Sequence, residues 1–229
     1  MTAESMLSLL QFSDGLFPAG AFAHSFGLET YVQSGEVRDA DGAEKFVRAH
    51  LAGSVATVDA VAAVNAMHAA RARGILACVR IDEILDAMKP AAELRAASRQ
   101  LGRQTLRIAA ALLLDPLTAE FSQLADEDRT PCHHAVVYGI AGAAQGWGAE
   151  QAAIAYLYSS SAAVTAAAVR LIPLGQLQGQ RIIRSLMPSI AALAGRATQT
   201  GIAEMTAFAP ALEIAAMRHE RLEARLFRS

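Results

Sequence analysis

The sequence predicts an all-α chain, a single compact domain of roughly ten helices. Apolar residues recur at spacings of three and four through long stretches, and the pattern stops at glycines and prolines. Alternating apolar and polar runs are scarce in a chain holding 51 alanines among its 229 residues, and alanine disfavours strands. No internal repeat or low-complexity linker divides the chain, so residues 1–229 read as one domain, with 210–229 a C-terminal interaction helix and tail.

Met1 to Leu10 carries an acid before a short apolar run, without the basic flank of a signal peptide, so cytoplasmic residence is the expectation. From Ser13 to His24 two glycines and a proline make an irregular loop. Its aromatic residues, Phe17 and Phe22, either plug the core or face a partner. Helix stops fall at Gly35, Gly74, Pro90, Pro116, Thr130-Pro131, Pro173 and Pro210. Between Glu93 and Leu114 one helical stripe holds Leu94, Ala97, Leu101, Ile108 and Leu112. Thr130 is placed to cap and Pro131 to open a helix with His133 and His134 in its first turn.

Between Arg129 and Arg170 the only formally charged residue is Glu150, a length that admits a membrane hairpin. His133, His134, Gln145, Gln151 and the serines at 159–161, among alanine and glycine, weaken that transfer. A buried helical hairpin turned at Gly146, Trp147 and Gly148 is expected instead, with no membrane partner. Gln176 to Leu193 places Ile183, Leu186, Ile190 and Leu193 on one stripe, and Leu212, Ala215, His219, Leu222 and Leu226 space a last helix.

The apolar fraction is 53%, only 18% of residues are charged, and the formal charge is −2. Such a balance offers no global field for nucleic acid. The two lysines, Lys45 and Lys89, follow no glycine, which excludes a phosphate-cradling Gly-Lys-Ser/Thr loop. Cys78 and Cys132 form no Cys-x-x-Cys pair and suit a reducing compartment.

Catalytic chemistry finds few candidates. There is no Gly-x-Ser-x-Gly elbow, and the serines at 159–161 lie in an apolar helix as packing residues. Asp82, Glu83 and Asp86, like Asp126, Glu127 and Asp128, read as solvated surface charges with little pKa shift. Cys132-His133-His134 sets three metal-ligand types in a row, but consecutive helical residues point about 100° apart and cannot close a tetrahedral site alone. A small helical metal-binding protein or metal-dependent enzyme using these three is the alternative reading. Arg95, Arg99, Arg103 and Arg107 repel one another along one helix. The carboxylates at 82–86 and 126–128 are the preferred offset, an acidic partner the other. Arg218, Arg221, Arg225 and Arg228 edge the last helix.

The run from Leu10 and Gln11 through Pro18, Gly20, Phe22, His24, Ser25, Gly27, Leu28 and Glu29 resembles the opening signature of the urease accessory protein UreF family. Three further segments agree in order: His134 to Gly139, Arg170 to Gln180, and Met217 to Ser229. The resemblance thus covers the whole chain. Ala19, Ala21 and Phe26 depart from the commoner residues of the loop.

The resemblance implies an all-helical, non-enzymatic chaperone that forms a homodimer within its complex. It would join UreD (UreH in some species) to the GTPase UreG, the assembly docking on apo-urease for GTP-dependent nickel insertion. Nickel would be handled by the complex, with no cofactor bound tightly here. The implied partner-binding residues are His219, Glu220, Leu222, Arg225, Leu226, Phe227, Arg228 and Ser229, with Pro18, Gly20, Phe22, His24, Ser25 and Glu29. Arg225 is expected to anchor the C-terminal segment.

Overall fold

The computed structural model describes residues 1–228, and among them there are helices and turns but no strand. The order is α1 (Ala3–Ser13), a 3-10 turn (Ala21–Ala23), α2 (Leu28–Gln33), α3 (Ala40–His50), a π-helical stretch (Leu51–Asp59) and α4 (Ala60–Arg71). There follow α5 (Ile75–Ala87), α6 (Ala92–Leu113), α7 (Pro116–Asp126), α8 (His134–Ala144) and α9 (Ala149–Leu171). The chain closes with α10 (Gln176–Gln199), a second 3-10 turn (Ile202–Glu204) and α11 (Pro210–His219). Since α3, the π stretch and α4 continue as one rod over Ala40–Arg71, the described helices make ten rods, in agreement with the sequence reading.

Local chemistry sets the ends. The side chains of Thr2, Asp39 and Asp115 accept the amides of Ser5, Gly42 and Thr118, capping α1, α3 and α7. Pro116 and Pro210 sit in first turns, where a missing amide costs no helical bond.

The centre of the bundle is the pair α4 and α8. A methyl group on Gly139 would overlap the Ala63 carbonyl, so backbone meets backbone there. The hairpin from α8 to α9 turns at Gly146 (φ 67°), Trp147 and Gly148, as expected. Trp147 is wholly buried, its indole N–H donating to Ser8 Oγ at 2.7 Å and its ring meeting Phe12. Both Ala40–Arg71 and α9 are long and apolar enough to cross a membrane, but they pack within the bundle. Their apolarity serves the chain's own core.

Four expectations need correction. In α6 the inward face is Ala97, Leu101, Thr105, Leu106 and Ala109, whereas Leu112 is exposed and Leu94 and Ile108 are half-buried. The helix turns Gly102 against the Cys132 carbonyl, too closely for any side chain there. Second, α8 begins at His134; Thr130 and Pro131 precede it in a turn because Cys132 is left-handed (φ 66°). Third, Asp82 is no solvated charge. It is fully buried and accepts the Thr130 hydroxyl (2.6 Å), the Cys132 amide and the His133 amide (2.8 Å). Burial pushes its carboxyl above the ordinary range, although these donors and His133 oppose the shift. Fourth, α11 ends at His219, so Leu222 and Leu226 lie in the tail beyond it and the later arginines form no helical stripe.

The arginine stripe of α6 is offset within the chain, as preferred. Arg99 pairs with Asp86 at 2.6 Å and Arg103 with Asp128 at 2.8 Å, while Arg95 donates to the Lys89 carbonyl.

Candidate partner-binding site

Left-handed backbone at two glycines and one phenylalanine shapes the loop after α1. Gly20 (φ 93°) enters the first 3-10 turn, and Phe26 (φ 54°) with Gly27 (φ 86°) reverses the chain into α2. A Cβ on Gly27 would stand in ordinary van der Waals contact with the backbone of Leu212 and Ala216, so α11 lies directly against the loop, and it is the positive φ that favours glycine here. The Thr30 hydroxyl donates to the Ala215 carbonyl at 2.9 Å, fastening α2 to α11.

Glu29, in the first turn of α2, is buried and organises the chain's other end. Its Oε1 accepts the Leu226 amide at 2.7 Å, and its Oε2 accepts the Phe227 amide at 3.1 Å. The same Oε2 lies 3.0 Å from Nε2 of His219, whose Nδ1 lies 2.8 Å from Oε2 of Glu93. Glu93 Oε1 in turn accepts from Arg225 at 3.0 Å. Further out, Gln33 donates to the Ala224 carbonyl and the Arg228 amide to the Ala23 carbonyl, both at 2.8 Å. Arg170 covers the buried Phe227 ring at 4.5 Å and donates to the Phe22 carbonyl. The tail is therefore clamped to the loop by hydrogen bonds from both backbone and side chains.

The expected site residues thus come together from both ends of the sequence. His219, Glu29, His24, Ser25 and Phe227 form its buried base; Pro18, Phe22, Arg225, Leu226, Arg228 and Glu220 are exposed, and Gly20 and Leu222 are half-buried. Ser229 lies outside the described residues. Arg225 is paired with Glu93 of the same chain at 3.0 Å. Burial first, then the nearby Arg228 and His219, push His24 down to about 4. Glu93 escaped the sequence reading: nothing in one sequence marks a first-turn acid of α6 as the neighbour of residues 219 and 225. Arg170 had a faint signal, since it opens one of the four matching segments.

Cys132, His133 and His134 do not converge. The Cys132 thiol is buried and pushed up to about 12 by burial and by Asp82. His133 is held by Ser98 and Asp86, each at 2.9 Å, whereas His134 stacks on Tyr156 with ring centres 5.4 Å apart. Among the described residues no group of three or more His, Cys, Asp or Glu is positioned to hold a metal ion.

Comparison with known proteins gives the family. The family model for UreF matches residues 37–187. The chain is 33% identical over 224 residues to the urease accessory protein UreF of Bacillus sp. (strain TB-90), covering 98% of this chain and 99% of that one. It is 33% identical over 229 residues to that of Paenarthrobacter aurescens (strain TC1), covering all of both. With that of Nostoc sp. (strain PCC 7120 / SAG 25.82 / UTEX 2576) it shares 31% identity over 229 residues, 100% of this chain and 98% of the other. The relatives extend over the loop and the tail as well as the bundle, and the chain belongs to the urease accessory protein UreF family.

Proposed function

We propose that this chain is a non-enzymatic scaffold of urease maturation. It bridges UreD (or UreH) and the GTPase UreG, as a homodimer within the complex, while the assembly docks on apo-urease in the cytoplasm for GTP-dependent nickel insertion. Nickel is the cargo of the assembly, and no cofactor is held tightly by this subunit.

The observation that carries this reading is the meeting of the Pro18–Glu29 loop with the tail from His219. Among the described residues, Glu29, Glu93 and His219 are hydrogen-bonded to one another and to the tail amides, which supports a structural use of these groups. What remains outward is Phe22, Leu226 and the arginines 225 and 228. Exposed aromatic and aliphatic groups beside arginine, on a backbone already ordered, suit protein contact. The metal-site alternative at Cys132, His133 and His134 lacks such support, because those three side chains diverge.

Reconstitution from apo-urease, UreD, UreG, nickel, GTP and bicarbonate tests the proposal. Urease activity should depend on adding this chain, which should be inert alone. Full activation without it, or turnover by the chain by itself, would overturn the scaffold reading.

A further inference from the structure

We infer that the outer face of α10 is a docking surface for an acidic α-helix of a partner protein. From residue 151 to residue 203 the chain holds no aspartate or glutamate, while Arg170, Arg181, Arg184 and Arg196 fall within that stretch. Arg170 is engaged with the tail. Arg181, Arg184 and Arg196 are exposed on α10, and none of them enters an ion pair among the described residues. Arg184 reaches the Met187 sulfur at 3.9 Å, a weak acceptor. Arg181 and Arg184 stand three residues apart, a spacing at which like charges repel along a helix. Local helix stability therefore does not account for the pair.

The shape of the face matches its charge. Ile183, Leu186, Ile190 and Leu193 turn inward, so steps of three and four carry Arg181, Arg184, Pro188, Ala192 and Gly195 along the outside. Arg184 and Arg196 are about 18 Å apart along the axis. Down the middle between them run Pro188, Ala191, Ala192 and Gly195, and a Cβ added to Gly195 would meet nothing. The result is a shallow valley with arginines at both ends. A second helix can approach such a valley closely, its own apolar side chains entering it while its carboxylates meet the guanidinium groups.

Neighbouring elements leave the positive charge in place. On α3, Glu44 is paired with Arg48, which also donates to Ser189 of α10, and Asp41 is paired with Lys45. Glu150 opens α9, which packs antiparallel to α10, and Glu204 follows α10 and accepts the Gly201 amide, so both acids stand toward the Arg196 end. Arg181 and Arg184 are the stronger end of the face. Nucleic acid is disfavoured because no aromatic ring stands among the arginines of α10 for stacking. An anionic membrane is disfavoured because Leu177 and Met187 are the only large apolar side chains exposed on α10, too few for an interfacial helix. An acidic helix answers both the charge and the small side chains. The surface uses none of the clamp residues, so it stands whether or not the scaffold reading does.

Nuclear magnetic resonance of the isotopically labelled full-length chain tests the surface with two synthetic helical peptides. One carries glutamates at helical spacing beside leucines, and the other has lysines in place of the glutamates. The acidic peptide should shift the α10 amides between Arg181 and Arg196 saturably, and bind about tenfold or more tightly than its lysine twin. Its affinity should fall as salt rises from about 50 to 300 mM. Arg181→Glu combined with Arg184→Glu should remove the preference, and Ala192→Gln, which fills the valley without charge, should weaken the acidic peptide by about tenfold. All three side chains are exposed, so the fold should persist, with unshifted amides outside α10 as the check. Absence of saturable binding, equal affinity for the two peptides, or undiminished binding to either variant would overturn the proposal. Stronger shifts of α10 with phosphatidylglycerol vesicles or a single-stranded oligonucleotide, or α10 signals that move with protein concentration alone, would also overturn it. Those results would give the face to a lipid surface, a nucleic acid or a second copy.

Discussion

Glu29 and His219 stand 190 residues apart in the chain and 3.0 Å apart in space, each buried, and around that contact the two ends of the molecule are joined. Glu29 holds three donors at once, two of them tail amides. Replacing it by alanine strands all three. We expect Glu29→Ala to cost about 3 kcal/mol and to lower the thermal midpoint by roughly 6–12 °C. Calorimetric melting checks this, with limited proteolysis as a second readout: cleavage should begin between Glu220 and Arg228 well before the bundle melts. Retention of the parent midpoint and a protected tail would show that the clamp carries little.

Acid should weaken the bundle through its buried histidines. Burial pushes His50 and His134 down to about 4, with Lys89 adding to the effect against the pull of Asp59. In the unfolded chain each takes up a proton below about pH 6.5, while in the fold each stays neutral until about 4, so stability falls as pH falls through that window. The slope reaches about 1.4 kcal/mol per pH unit for each histidine. Urea titrations at steps between pH 7 and 4.5 read it directly. In His50→Phe, where the ring sits among Phe26 and Phe46, the slope should be shallower than in the parent.

Two glycines on the helices separate crowding from helix propensity. A methyl on Gly102 of α6 would overlap the Cys132 carbonyl, so Gly102→Ala must push α6 from the turn before α8 and should cost 3 kcal/mol or more, on the order of severe overpacking. Gly195 of α10 has open space around it, and alanine there should stabilise by about 0.5–1 kcal/mol through helix propensity. Paired urea midpoints decide the matter, and the two substitutions should move in opposite directions.

Charge reversal along α6 should sort its arginines by their neighbours. Arg99→Glu sets a carboxylate against Asp86, which also holds His133, and should cost about 1–2 kcal/mol. Arg107 is exposed and enters none of the ion pairs found among the described residues, so Arg107→Glu should stay within about 0.5 kcal/mol. Equal losses at both positions, measured by denaturant midpoint, would contradict the pairing described here.

The helical architecture was legible because its signals are local. The stripe Ile183, Leu186, Ile190 and Leu193, the turn at Gly146 to Gly148, and the helix breaks at Pro116 and Pro210 all follow from residues close in sequence. Where the reading failed, a distant group decided. Asp82 captures the turn at 130–133 from another helix, so a cap that looked natural at Thr130 is diverted. The last helix stops at His219 while apolar spacing continues to Leu226, because the tail amides find Glu29 instead of helical carbonyls. The family resemblance named most residues of the clamp, but their mutual contacts, and the part of Glu93, belong to tertiary structure.

Co-purification of UreD and UreG with the full chain, and with a chain ended after His219, tests the central claim most directly. The scaffold reading expects the full chain to bring down both partners, and the shortened chain, its bundle still folded by circular dichroism, to lose them. Recovery of both partners by the shortened chain at the parent yield would contradict it.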